Sequence, residues 1–310
     1  MITIITSVVT LALGFVMLVK GSDFFVDGAS SLATKLGIPQ LIIGLTIVAM
    51  GTSAPEAAVS ITAAFKGNAD ITIGNIVGSN ILNILIILGI TSMIVPVAVA
   101  KSTVRYEIPY MILCSVVLYI MGMDTKISFI EGIVLWVLFV LYLIYMFLGS
   151  KNNKETESQQ KYVSGWIQLL YIVGGMAAII AGSRFAVYGA TEIARIIGMS
   201  ERFIGLTIVA LGTSLPELFT SVTAAKKGNA DIAIGNIVGS NIFNILFIVG
   251  TTALMTVVPF DKKFMVDSIV VIASAMVLFL GVVRRKKITR ACGLFMLLCY
   301  CGYFVFLLAN

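Results

Sequence analysis

The 310-residue sequence contains no histidine, so imidazole can serve neither as a proton relay nor as a metal ligand, and the commonest switch near neutral pH is missing. Its four cysteines, Cys114, Cys292, Cys299 and Cys301, fall in apolar stretches without zinc-type spacing, which makes them packing residues rather than ligands or bridges. Charge is scarce: 12% of residues are charged against 59% hydrophobic, with a mean hydropathy of +1.06, more apolar surface than a water-soluble domain of this length could hide. A polytopic membrane protein in contact with lipid is implied. Alternating ten-residue segments are absent, which argues against a transmembrane barrel. No nucleophile with a base and no cofactor motif is visible, so no enzyme and no bound cofactor are expected. The net charge of +6 is spread between spans without aromatic interleaving, which speaks for membrane orientation and against nucleic acid. The first twenty residues lack a basic leader and a small-residue cleavage site, and read as a first span rather than a removed signal peptide.

What is present is a repeat. Residues 44–83 read GLTIVAMGTSAPEAAVSITAAFKGNADITIGNIVGSNILN, and residues 205–244 read GLTIVALGTSLPELFTSVTAAKKGNADIAIGNIVGSNIFN, identical at 31 of 40 positions with a constant offset of 161. Each copy carries one acid, Glu56 or Glu217, inside an apolar stretch. An ionisable group at membrane depth costs about 2.5–3.5 kcal/mol or more, so such an acid reads as functional. Each acid follows a proline, Pro55 or Pro216, which withdraws an N–H and predicts a helix break near Gly51 and Gly212 with carbonyls left free. Broken helices are tolerated at membrane depth only where protein or a polar cavity solvates them, so the two breaks predict one shared cation site.

The remaining chain reads as helical spans of about twenty apolar residues, five in each half. The expected fold is an all-α membrane protein of ten transmembrane helices, two inverted five-helix repeats with broken helices at the midplane. Residues 1–149 form the first repeat, 150–162 a cytoplasmic linker, and 163–310 the second. Lys20, Asp23 and Asp27 in the first span read as interfacial charges or a local ion pair, because Arg184 and Tyr188 replace the two acids in the second copy. Asp70 and Asp231 read as helix caps, and Gly74 with Gly78 as a small-residue seam. Asn75, Ser79 and Asn83, four apart, form a polar stripe. Glu107, Asp124 and Glu131 fall near the ends of scaffold spans. With the N-terminus outside, inner loops hold 13 of the 21 basic residues and outer loops 6, which places both termini outside the cell membrane.

If Glu56 and Glu217 converge, hard oxygen donors surround them, suited to calcium or sodium rather than to soft metals. GTSAPE with GNIVGSNILN, and GTSLPE with GNIVGSNIFN, resemble the two alpha repeats of the sodium/calcium exchanger family within the cation/calcium antiporters, and the resemblance spans all ten helices. It implies calcium coordination by Glu56, Glu217, Thr52 and Thr213. It implies sodium sites at Ala49, Ser53, Ser79, Ala210, Ser214 and Ser240 together with both glutamates, and a central polar pair, Asn83 and Asn244. The potassium-dependent branch has aspartate where Asn244 stands, which speaks against potassium co-transport. The proton-driven branch has a different GNxxE-type motif. The activity implied is sodium/calcium antiport by alternating access, functional as a monomer. A proton/calcium antiporter, because buried carboxylates can carry protons, and a cation channel with a ring of acids are the alternatives.

Overall fold

The computed structural model describes residues 2–152, 165–200 and 204–309. Joined across their π-helical and short 3₁₀ turns, its helices are α1 (Ile2–Leu36), α2 (Gln40–Thr52), α3 (Ala54–Phe65), α4 (Asp70–Ile94), α5 (Thr103–Asp124), α6 (Phe129–Asn152), α7 (Gly165–Ile196), α8 (Thr207–Thr213), α9 (Leu215–Lys226), α10 (Ala230–Met255), α11 (Lys262–Val283) and α12 (Arg290–Ala309). Among the described residues eight helices are long and apolar enough to cross a membrane, or up to ten spans if each bent pair, α2–α3 and α8–α9, is one. The expected linker lies mostly outside the described residues, and α6 continues through Ser150 to Asn152.

The bent pairs sit where proline follows Thr-Ser. Neither Pro55 nor Pro216 can donate to the carbonyl four residues back, and the axes turn by 48° between α2 and α3 and by 56° between α8 and α9. The turn falls at Ser53 and Ser214, inside the expected stretch that begins near Gly51 and Gly212 and ends at the proline. The backbone does not unwind there: Ser53 N keeps the α-helical bond to Ala49 O at 3.0 Å, and Ser214 N makes a tighter bond to Leu211 O at 3.2 Å. The Gly212 carbonyl, expected to be free, accepts from Ser183 Oγ of α7 at 2.6 Å. π-helical turns at Gly44–Val48, Asn83–Ile87, Gly205–Val209 and Asn244–Val249 recur at equivalent places of the two copies, and such turns tend to mark functional sites.

The helices α4 and α10 form the centre. Their most apolar stretches are 72% and 94% buried, against 11% for α12, and the outer helices expose large apolar residues such as Trp166, Phe65 and Ile130, a surface suited to lipid. Helices α1 and α7 pack antiparallel along matched glycines. Gly14 lies against Gly182 and Ala186, Gly21 against Gly175 and Ile179, and Gly189 against Ser7 and Leu11, an approach that only missing side chains permit.

Two short strand pairs add to the expected all-helical plan. β1 (Val97–Ala98) pairs antiparallel with β4 (Lys287–Ile288), and β2 (Lys126–Ile127) with β3 (Val258–Pro259). Two residues are too few to show alternation in a sequence. Two further expectations change. Asp70 and Asp231 lie inside the first turns of α4 and α10, with no side-chain cap on either helix. Glu107 stands in the first turn of α5, near the span end as expected, yet is buried and accepts from Tyr145 at 3.1 Å, while Asp267 of α11 accepts from Tyr303 at 2.8 Å. The Gly74–Gly78 seam is not closed: Gly74 faces the Phe264 ring, and a Cβ at Gly78 would meet nothing within 4 Å.

Candidate cation site

Glu56 stands in the first turn of α3 and Glu217 in the first turn of α9, each 1% exposed, where the positive end of the helix dipole favours a carboxylate. Ser53, three residues before Glu56, bonds Glu217, which brings the two acid-bearing turns together. Donors come from both halves. Ser53 Oγ donates to Glu217 Oε1 at 2.9 Å, and the Thr52 and Ser240 hydroxyls stand near that carboxylate while donating elsewhere. Ser79 Oγ reaches Glu56 Oε1 at 3.5 Å, joined by Thr213. Ser240 Oγ donates to the Ala49 carbonyl at 3.3 Å, and Thr52 Oγ1 to Asn236 Oδ1 at 2.9 Å. Ala210 begins the last turn of α8, the place Ala49 holds in α2.

The amides brace this centre. Asn75 Nδ2 donates to Ser60 Oγ at 2.9 Å and to the Glu56 carbonyl at 3.2 Å, while Asn236 Nδ2 donates to Ser221 Oγ at 3.0 Å and to the Glu217 carbonyl at 3.4 Å. Each acid-bearing helix is thereby tied to the next helix of its own half. Asn83 and Asn244 do not bond each other. Asn83 Nδ2 donates to Asn241 Oδ1, and Asn244 Nδ2 to Asn80 Oδ1, both at 3.0 Å. Asn80, Asn236 and Asn241 were missed as site residues, although all three stand in the repeated GNIVGSN motif.

Five buried oxygens of the expected site residues have no partner among the described residues: Glu56 Oε2, Glu217 Oε2, Asn83 Oδ1, Asn244 Oδ1 and Ser214 Oγ. A buried acceptor left unmatched costs about 1–3 kcal/mol, more when charged, so their common need is a cation or a donor. All five are hard oxygens. Among the described residues no group of three or more His, Cys, Asp or Glu is placed to hold a metal ion, so the fixed charge is that of two carboxylates.

The two ends of the molecule differ. A cavity of about 740 Å³, lined by Pro55, Thr62, Lys66, Arg184, Arg195 and Thr213 among others, opens at the end bearing Lys66. At the other end the equivalent positions are closed. Lys227 Nζ lies 2.7 Å from Asp27 Oδ1 and 3.4 Å from Asp23 Oδ1, and the Ser22 and Thr223 hydroxyls are 2.8 Å apart. The expected local ion pair of Asp23 and Asp27 is thus made with the other half. Gly235 and Gly239 of α10 also lie directly on the backbone of α2, whereas among the described residues a Cβ at Gly74 would meet only the Phe264 ring and one at Gly78 nothing within 4 Å.

Fold and site together define a helical membrane protein whose duplicated halves meet at two buried acids. The chain belongs to the sodium/calcium exchanger protein family, whose sequence pattern matches residues 6–148 and again 167–309. It is 41% identical over 302 residues to the putative antiporter CaxA of Alkalimonas amylolytica, covering 94% of this chain and 95% of that one. It is 31% identical over 339 residues to the sodium/calcium exchanger MaX1 of Methanosarcina acetivorans, covering 96% and 97%. Its fold is similar to that of the sodium-calcium exchanger NCX_Mj soaked with zero Na⁺ and Ca²⁺, with a TM-score of 0.85 at 32% identity over 98% of this chain and 99% of that one.

Proposed function

We propose that this protein is a secondary antiporter that exchanges sodium for calcium across the cell membrane by alternating access. The observation that carries the reading is the pair of buried acids, Glu56 and Glu217, each with one carboxylate oxygen unpartnered among the described residues. Calcium takes six to eight oxygens in flexible geometry, and one calcium balances two carboxylates. In this reading Glu56 and Glu217 hold calcium with Thr52 and Thr213. The flanking Ala49, Ser53 and Ser79, and Ala210, Ser214 and Ser240, serve sodium, and Asn83 and Asn244 complete the centre. Sodium and calcium are cargo, and no resident cofactor is invoked.

Inverted halves are supported by a parity argument. Antiparallel packing of α1 and α7 requires an even number of crossings between them; α4, α5 and α6 supply three, and the α2–α3 pair adds one if it crosses once. The β1–β4 pairing requires its two loops to share a side; α5, α6, α7, α10 and α11 supply five crossings, and α8–α9 adds the sixth. Five crossings per half invert the second copy, with residues 1–149 and 163–310 as repeats about the 150–162 segment. The distribution of basic residues supports termini outside and that segment inside. The 740 Å³ cavity then faces outward, above a closed inner side. The monomer contains both acids, which supports a monomeric working unit surrounded by lipid.

The test is calcium-45 uptake into proteoliposomes under an outward sodium gradient compared with an outward proton gradient. Uptake driven by sodium and blocked by collapsing that gradient is expected. Uptake driven by protons alone would refute sodium as the counter-ion, and calcium flux that needs no counter-ion would point to a channel.

A further inference from the structure

We infer that the orientation of the Asn83 and Asn244 amides is set one hydrogen bond further back, by Asn80 and, through Asn241, by Met111 of α5. The inference rests on the antiport reading above and assigns positioning residues to that site.

A carboxamide has one accepting end and one donating end, so fixing one fixes the other. Asn80 Nδ2 lies 3.2 Å from the Asn241 backbone carbonyl, a group that only accepts. The donating end of Asn80 is therefore committed, and its Oδ1 faces Asn244. Asn244 must answer with Nδ2, which leaves Asn244 Oδ1 as the buried, unpartnered end. The second relay runs the same way from a different anchor. Asn241 Nδ2 donates to Met111 Sδ at 3.5 Å, its Oδ1 accepts from Asn83 Nδ2, and Asn83 Oδ1 is left unpartnered. Reversal of either relay would leave an N–H pair, instead of an oxygen, as the free end beside two carboxylates that need a cation.

The two anchors are unequal. A carbonyl is a strong acceptor and a thioether a weak one, so Asn244 is held firmly and Asn83 loosely. The second half offers no equivalent sulfur, since Ile272 stands 161 residues after Met111. Met111 is fully buried, and leucine has nearly its volume but no acceptor, a change that cores tolerate. Met111→Leu releases Asn241 to rotate, and Asn83 with it.

The experiment measures calcium-45 binding to the purified full-length protein in detergent, with thermal unfolding as a folding check. Met111→Leu should weaken calcium binding roughly three- to tenfold, the scale of one neutral hydrogen bond, with little change in unfolding temperature. In an Asn83→Asp background both ends of the group accept, so orientation no longer matters and Met111→Leu should cause no further loss. Unchanged binding in Met111→Leu, or an equal loss in both backgrounds, overturns the inference, the second outcome marking a packing effect. Glu56→Gln separates the two readings. If it binds calcium like the unmodified protein, the two-acid site itself is wrong; if it loses calcium while Met111→Leu does not, only the relay is wrong.

Discussion

Glu56 and Glu217 each give one carboxylate oxygen to hydroxyl donors and keep the other free. A neutral isostere preserves the packing but removes a charge. A unit charge about 4 Å from a cation is worth on the order of 4 kcal/mol per cation charge at an effective dielectric of 20, so the loss should be large. Glu56→Gln and Glu217→Gln are each expected to lower calcium exchange by at least about 100-fold, measured as sodium-driven uptake; near-normal transport by either variant would sink the two-acid site. These acids were legible in the sequence because a carboxylate set into an apolar run at both copies of a repeat is too costly to keep without a use. Their bracing amides were less so. Which atom Asn80, Asn236 or Asn241 bonds depends on how the halves interlock, and the residue alone reveals only that it is polar. The stripe of Asn75, Ser79 and Asn83 was correctly spaced, yet its members do different things: Asn75 and Ser79 both bond Glu56, Asn75 also bonds Ser60, and Asn83 reaches Asn241 in the other half.

At the scale of elements, periodic glycine decides how closely helices approach. The α1–α7 seam uses Gly14, Gly21 and Gly28 against Gly175, Gly182 and Gly189, and a Cβ built at Gly182 would sit 2.8 Å from the Gly14 carbonyl and 2.9 Å from Leu18 N. Backbone cannot yield as a side chain can. Gly182→Val should therefore destabilise the protein by about 1–3 kcal/mol or more, read as a lowered unfolding temperature in detergent, whereas Gly78→Ala, with open space at its Cβ, should change it little. A stability loss at Gly78 matching that at Gly182 would contradict the packing described. The spans and the bends could be read from apolar length and from proline. The residue at each turn, Ser53 or Ser214, could not, because the N–H groups of both serines continue hydrogen bonding where the proline rule alone predicts a gap. Two-residue strand pairs and π turns are likewise set by tertiary contact.

At the scale of the whole molecule, the same contacts are made at one end and broken at the other, although the sequences of the two copies are nearly alike. The difference lies where they diverge. Asp23 and Asp27 of α1 face Lys227, but the equivalent positions in α7 are Arg184 and Tyr188, beside the cavity that Lys66 lines. Closing the Lys66 end thus brings two cations together, while closing the Lys227 end joins a cation to two acids. This asymmetry favours the conformation seen. The Lys227 side chain is 28% exposed and its partners more so, which keeps the gain modest, about 1 kcal/mol at most for such a pair and thus a factor of about five in the equilibrium between the two conformations. Val26 reports on that equilibrium: it is fully buried, whereas its counterpart Val187 lines the open cavity. In a background without the native cysteines, Val26→Cys should react with a thiol reagent supplied from the Lys227 side up to about five times faster when Lys227→Met is added. The gain should shrink at high salt, since the pair in the unmodified protein is itself screened. An unchanged labelling rate would show that the ion pair does not bias the two conformations, and would leave the glycine contacts of α10 with α2 to hold that end closed.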